Sequence, residues 1–263
     1  MRRVLTFPCE NNLLVATLDD AQSQNGLLIV SGGNEIRIGA HRGMAMLARD
    51  IAAAGHPVFR FDRRGIGDSE GENGEFTSSG PDIAAAVAAF RDQCPQLARI
   101  VAFGNCDAAS ALAMHLVAGL DGAILANPWV VERSDELPAP AAIRARYVER
   151  LKDPKAWIEL FTGAIDLRKL TAGLLRIAAP QTPSSLAQSV ADGIAAFPGP
   201  VTILLSARDG TAIAFADEWE KPAFSAARAK PDLSVVRLDS ASHSFAGAGD
   251  MAELKAALLA ALS

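Results

Sequence analysis

Two hydrophobic rhythms alternate along this chain. Short, nearly unbroken apolar runs, Leu27-Leu28-Ile29-Val30, Val58-Phe59-Arg60-Phe61, Ile100-Val101-Ala102-Phe103, Gly122-Ala123-Ile124-Leu125-Ala126, Val201-Thr202-Ile203-Leu204-Leu205 and Leu233-Ser234-Val235-Val236-Arg237-Leu238, read as strands. Between them, residues 42–54 (Met46, Leu47, Ile51), 82–94 and 250–262 carry apolar positions at helical spacing, with Gly55 and Pro81 marking ends. Residues 4–18 alternate weakly around Asn11-Asn12, which predicts a hairpin. Strands alternating with helices predict an α/β fold, a mostly parallel sheet covered on both faces. In such sheets ligands gather at the carboxyl ends of the strands. Gly32-Gly33, Asp62, Cys106, Asn127 and Asp209 all follow a strand directly.

The alternation stops between Pro128 and Pro200. Helical stretches at 141–151, 156–161 and 185–197 follow one another with no strand between them. This predicts a core made of 1–127 and 200–263 and a helical lid insertion at 128–199. Trp129, Trp157, Phe161 and Leu174-Leu175 are candidates for lining an apolar channel there. Packing of the lid onto the body explains the same residues at least as well.

The stretch that organises the chemistry is Gly104-Asn105-Cys106-Asp107-Ala108, between a strand and an Ala-rich segment. A tight strand-to-helix corner needs small residues two before and two after the exposed side chain, and Gly104 and Ala108 hold those places. Cys106 would then be a nucleophile, although a buried packing cysteine is the alternative. A thiol attacks as thiolate and needs a base or cation beside it. Of four histidines, His41 and His56 precede the corner and His115 lies behind it. His243 follows the last predicted strand and is the best base. Asp209, after the preceding strand, is the better acid to orient it than Asp239, only four residues before His243. Backbone N–H groups of Asp107 and of Gly33, in the Ser31-Gly32-Gly33-Asn34 turn, are candidate donors to a developing oxyanion. Asn34, Arg37 and His41 lie beside that turn and are candidates for substrate contact; a solvated surface explains the two cations equally well. The segment Asp62-Arg63-Arg64-Gly65-Ile66-Gly67-Asp68-Ser69 reads as structural, its Asp and Arg tying a loop.

The 263 residues, half of them hydrophobic, carry a net charge of −5 and no Lys/Arg block, which argues against a nucleic-acid partner. No run is apolar for long enough to span a bilayer, and the start of the chain does not read as a signal peptide. Three widely spaced cysteines suit neither a disulfide framework nor a metal site, so no metal or cofactor and a cytoplasmic location are expected. A homodimer is compatible with these features.

Together, Gly104 to Ala108, Asp62 to Ser69, Asp209 and His243 resemble the α/β-hydrolase superfamily, in the expected order and over nearly the whole chain. The Ser-Gly-Gly loop followed by Arg37, Gly39, His41 and Arg42, and the string Arg60 to Gly71, resemble a narrower group, the hydrolases associated with exosortase A gene clusters. The resemblance implies an eight-stranded sheet with a lid and an esterase-like or thioesterase-like site acting on a small acyl ester or thioester. This sequence departs from the superfamily pattern in having Cys106 for Ser and Ala108 for Gly; a thiol nucleophile also occurs in the dienelactone hydrolases of this fold. A cysteine-dependent acyl hydrolase is the leading expectation. An acyltransferase with the same triad, or a catalytically degenerate accessory protein, is the alternative.

Overall fold

The computed structural model describes residues 1–116, 118–131, 185–247 and 249–263. Its strands are β1 (Arg2–Cys9), β2 (Asn12–Asp19), β3 (Asn25–Val30), β4 (Val58–Phe61), β5 (Arg99–Asn105), β6 (Gly122–Ala126), β7 (Val201–Ser206) and β8 (Leu233–Leu238). They form one sheet in the order β1-β2-β4-β3-β5-β6-β7-β8. The hairpin β1–β2 is antiparallel, β2 runs antiparallel to β4, and every later pairing is parallel.

The helices are α1 (Gly43–Ala53), α2 (Gly80–Gln93), α3 (Asp107–Met114), α4 (Ser185–Ala196), α5 (Gly210–Trp219) and α6 (Asp250–Leu262). The side-chain alternation of a strand divides them between two core layers. Ile100 and Ala102 of β5 join one layer with Phe90, Leu112 and Ile194; Val101 and Phe103 join the other with Leu47, Ile51, Leu254 and Leu258. Both faces being covered, the strand sequence is a continuous apolar run rather than an alternation. β8 differs. It is the last strand of the sheet, and Ser234 to Arg237 are exposed.

Helix α4 falls within the expected insertion, yet it packs on α3 as part of the body. The contact is so close that a Cβ on Gly193 would lie 1.9 Å from the Ala113 carbonyl oxygen. Leu186, Val190 and Ile194 join the same core layer as α2 and α3, so α4 is the crossover that leads back to β7. The expected helices at 141–151 and 156–161, with Trp157, Phe161 and Leu174-Leu175, lie outside the described residues.

The segment after β4 is tied down as a loop. The fully buried Asp62 carboxylate accepts from the Arg37 backbone N–H at 2.5 Å and from the Arg37 guanidinium. Ser69 Oγ donates to the Asp62 carbonyl at 2.7 Å, and Arg64 Nε donates to Asp82 at 2.5 Å. Removing one partner of a buried ion pair costs about 3–5 kcal/mol, so this loop is a fixed wall. Among the described residues no helix is long and apolar enough to cross a membrane, and no group of three or more His, Cys, Asp or Glu side chains could hold a metal ion.

Candidate active site

β5 ends at Asn105 and α3 begins at Asp107, so one residue makes the turn between them. Cys106 sits at φ 61°, ψ −125°, a region that costs a non-glycine residue about 1–3 kcal/mol unless its surroundings hold it there. They do. Its N–H donates to the Ala126 carbonyl at 2.9 Å, and its carbonyl accepts from the Trp129 N–H at 3.2 Å. Gly104 makes the corner sterically possible, because a Cβ there would lie 2.7 Å from the backbone of Ala108. The other two thiols are unlike this one. Cys9 and Cys94 are buried, and burial pushes each up to about 11, with Asp82 adding to the effect at Cys9. Cys106 is partly exposed and lines a cavity.

His243, in the loop between β8 and α6, reaches this corner. Its Nδ1 lies 3.0 Å from Asp209 Oδ2, and the Cys106 side chain is the other group that acts on the ring. Asp209 and then Cys106 raise the ring from 6.5 to about 10, against the effect of burial. Asp209 therefore favours the protonated imidazole. Burial opposes ionisation of Asp209, but His243 and the N–H groups of Ala212 and Thr211 outweigh it and hold the carboxyl below its usual range. Asp209 is also the N-cap of α5, accepting from the Ala212 N–H at 3.1 Å. That bond fixes the carboxylate in the position where the histidine meets it. Asp239 points elsewhere: it is exposed and paired with Arg208. His56 lies against the Asn25 carbonyl and His115 against the Thr77 carbonyl.

Two asparagines join the corner to the histidine loop. Asn105 Nδ2 donates to the His243 carbonyl at 3.0 Å. Asn127, fully buried just after β6, donates to Asn105 Oδ1 at 3.1 Å and accepts from the Ser206 N–H at 2.8 Å. Asn127 is legible as a strand-end residue, whereas the link it forms across three strands is not.

The Gly33 N–H faces the corner, but it is already bonded. Both oxygens of the Asp107 side chain accept from it, at 2.8 and 2.6 Å. Gly32 leaves the space for this, since a Cβ there would lie 2.4 Å from Asp107 Oδ1. At the next peptide, the buried Arg63 donates to the Gly33 carbonyl and to Ser79 Oγ. The sequence singles out the backbone of Asp107 and not its carboxylate. A charged residue directly after the corner was the available signal. The Asp107 backbone N–H stands at the first helical position, where no intrahelical carbonyl can take it.

Cys106, Asp107 and His243 open into a cavity of about 950 Å³, walled by Gly33, Asn34, Phe76, Met114 and Trp129 among others. Of the expected substrate contacts, Asn34 lines it. Arg37 does not: its guanidinium is held by Asp62, with Asp68 at 3.3 Å and Thr17 at 3.1 Å. His41, at φ 50° and exposed, is also outside the lining.

A family model described as "Alpha/beta hydrolase family" matches residues 32–257. No curated protein matches the chain in sequence. Solved structures similar to it include an esterase of Pyrococcus furiosus (17% identity, 98% of this chain and 88% of that one, TM-score 0.66). The alpha/beta hydrolase GrgF of Penicillium sp. sh18 is another (15%, 100% and 96%, TM-score 0.64). The proline iminopeptidase of Mycobacterium smegmatis is a third (16%, 99% and 97%, TM-score 0.60). At these identities the likeness is one of fold.

Proposed function

The chain belongs to the alpha/beta hydrolase family, and from that premise we propose that it is a cysteine-dependent acyl hydrolase acting on a small ester or thioester. The observation that carries the reading is His243, held at 3.0 Å by Asp209, sharing the cavity with Cys106, both of which favour the protonated ring. A cation beside a sulfur favours the thiolate. In this reading Cys106 Sγ attacks the acyl carbon, and the carbonyl π electrons move to oxygen. The N–H groups of Asp107 and Gly33 receive the oxyanion. The intermediate collapses, the bond to the leaving alcohol or thiol breaks, and His243 gives that group its proton. Water then attacks the acyl-thioester and passes a proton to the neutral His243. The acid departs and the thiolate–imidazolium pair returns. Asp209 holds the ring in the tautomer both steps need. None of these steps calls for a metal or cofactor.

The esterase of Pyrococcus furiosus among the structural neighbours agrees with this class of reaction. The string Arg60 to Gly71 supports placing the protein with the exosortase A-associated hydrolases, serving exopolysaccharide or exosortase-linked metabolism in the cytoplasm. The test is turnover of p-nitrophenyl acyl esters and acyl-thioesters by the wild type and by Cys106→Ala. Activity is expected to vanish in the variant. Unchanged turnover would remove Cys106 from the reaction.

The Asp107 carboxylate on the Gly33 N–H specifically favours a second reading, a scaffold whose oxyanion site is filled by its own side chain. A protein of that kind would bind acyl compounds without turning them over.

A further inference from the structure

The geometry around Asp107 bears on which substrates the site accepts, and this inference rests on the hydrolase reading above. Its carboxylate accepts from the same N–H that the reaction needs for the oxyanion. Gly32 leaves a cradle that a single Cβ would fill, and the carboxylate occupies it. Arg63, donating to the Gly33 carbonyl and to Ser79, pins the next peptide of the turn. The resting site is thus closed by an anion of its own. A substrate carbonyl can use Gly33 only after that carboxylate has moved.

Moving it costs two hydrogen bonds to a charged acceptor, a loss that water in the half-exposed site offsets in part and a new charged donor offsets better. Arg63 cannot follow it, since its guanidinium is bound to Gly33 and Ser79. Among the described residues the cavity wall is anionic apart from His243: Glu35 and Glu75 line it with Asp107, and the His243 ring is held by Asp209. An ammonium group on the incoming molecule suits this wall and supplies that donor. We propose that Asp107 is a specificity-determining residue that selects acyl esters carrying an ammonium group near the scissile carbonyl. The ammonium draws the carboxylate off Gly33, and the freed N–H then receives the oxyanion. A methyl in its place gives the carboxylate nothing, and a second carboxylate repels it.

Three p-nitrophenyl esters of nearly equal size separate these cases: the β-alanyl ester (ammonium), the butanoyl ester (methyl) and the succinyl ester (carboxylate). Their kcat/KM is measured for the wild type, Asp107→Asn, Asp107→Ala and Cys106→Ala, with the enzyme-free rate subtracted. The wild type should prefer β-alanyl to butanoyl to succinyl, with about tenfold or more between the first and last. In both Asp107 variants the three should converge to within about threefold, and the butanoyl ester should turn over faster than in the wild type. Asp107→Asn keeps the size of the side chain and a hydrogen-bond acceptor, so it answers the question even where Asp107→Ala folds poorly. An unchanged order of esters in Asp107→Asn overturns the inference. So does a uniform loss of rate, which would make Asp107 only a brace for the loop. If the β-alanyl ester is turned over equally by Cys106→Ala, the hydrolase reading itself is what fails, and the inference falls with it.

Discussion

Asn127 is the single polar side chain on which the geometry of the corner most depends, and replacing it by Ala gives a result that can be worked out beforehand. The residue is fully buried. Its Oδ1 accepts from the Ser206 N–H at 2.8 Å, and its Nδ2 donates to Asn105 Oδ1 at 3.1 Å. Ala removes both. The Ser206 N–H is in a residue without solvent exposure, so leaving it unpaired costs about 1–3 kcal/mol. Asn105 is partly exposed and can turn to water, so its loss counts for little. Asn127 also sits at φ 43°, and a left-handed conformation that Asn tolerates costs Ala about 1 kcal/mol. The sum is about 2–4 kcal/mol, read by urea denaturation as a fall in midpoint with the slope unchanged. Asn127→Gly relieves the backbone cost and not the hydrogen-bond cost, so it should fall between Ala and wild type only if the φ argument is right. Because Asn105 holds the His243 carbonyl at 3.0 Å, kcat should fall in Asn127→Ala while KM changes little. A loss of stability below about 0.5 kcal/mol, the range of ordinary surface substitutions, with kcat intact, would refute the reasoning.

Other consequences are simpler to state. Asp209→Asn keeps the shape of the α5 cap but removes the charge that orients and stabilises the His243 cation; kcat on a p-nitrophenyl ester should drop by about 100-fold or more. Gly104→Ala puts a Cβ 2.7 Å from the Ala108 backbone, and calorimetry should show a loss of about 1–3 kcal/mol or more. The His243 ring is raised to about 10 from an unfolded value near 6.5. Its contribution to stability is therefore fully present below about pH 6.5 and is lost as pH rises through about 10. Thermal denaturation from pH 6 to 10 should lose more midpoint in the wild type than in His243→Gln.

The sheet was legible because its strands are short apolar runs buried on both faces, and the corner because Gly104 stands where a side chain cannot. The meeting of His243 with Asp209 followed from their places after the last two strands. What local pattern could not carry were pairings between distant segments. Arg37 lies beside the glycine loop in sequence, yet Asp62, 25 positions on, takes its guanidinium. Nothing near Asp107 announces that its carboxylate folds back on an N–H 74 positions earlier. Helical spacing at 185–197 gave a helix without saying what covered it, and the tight fit of Gly193 against Ala113 joins it to the body. β8 reads as a buried strand and is an edge, because apolar content alone does not fix a strand's place in the sheet.

The account turns on whether His243 activates the sulfur of Cys106. Alkylation by iodoacetamide at pH 6.5, located by peptide mass, measures this in the wild type and in His243→Gln, with the buried Cys9 and Cys94 as unreactive internal references. The account predicts that Cys106 alone is labelled quickly, about tenfold or more faster in the wild type than in the variant. Equal rates in the two proteins, or a Cys106 as inert as the buried pair, would contradict it.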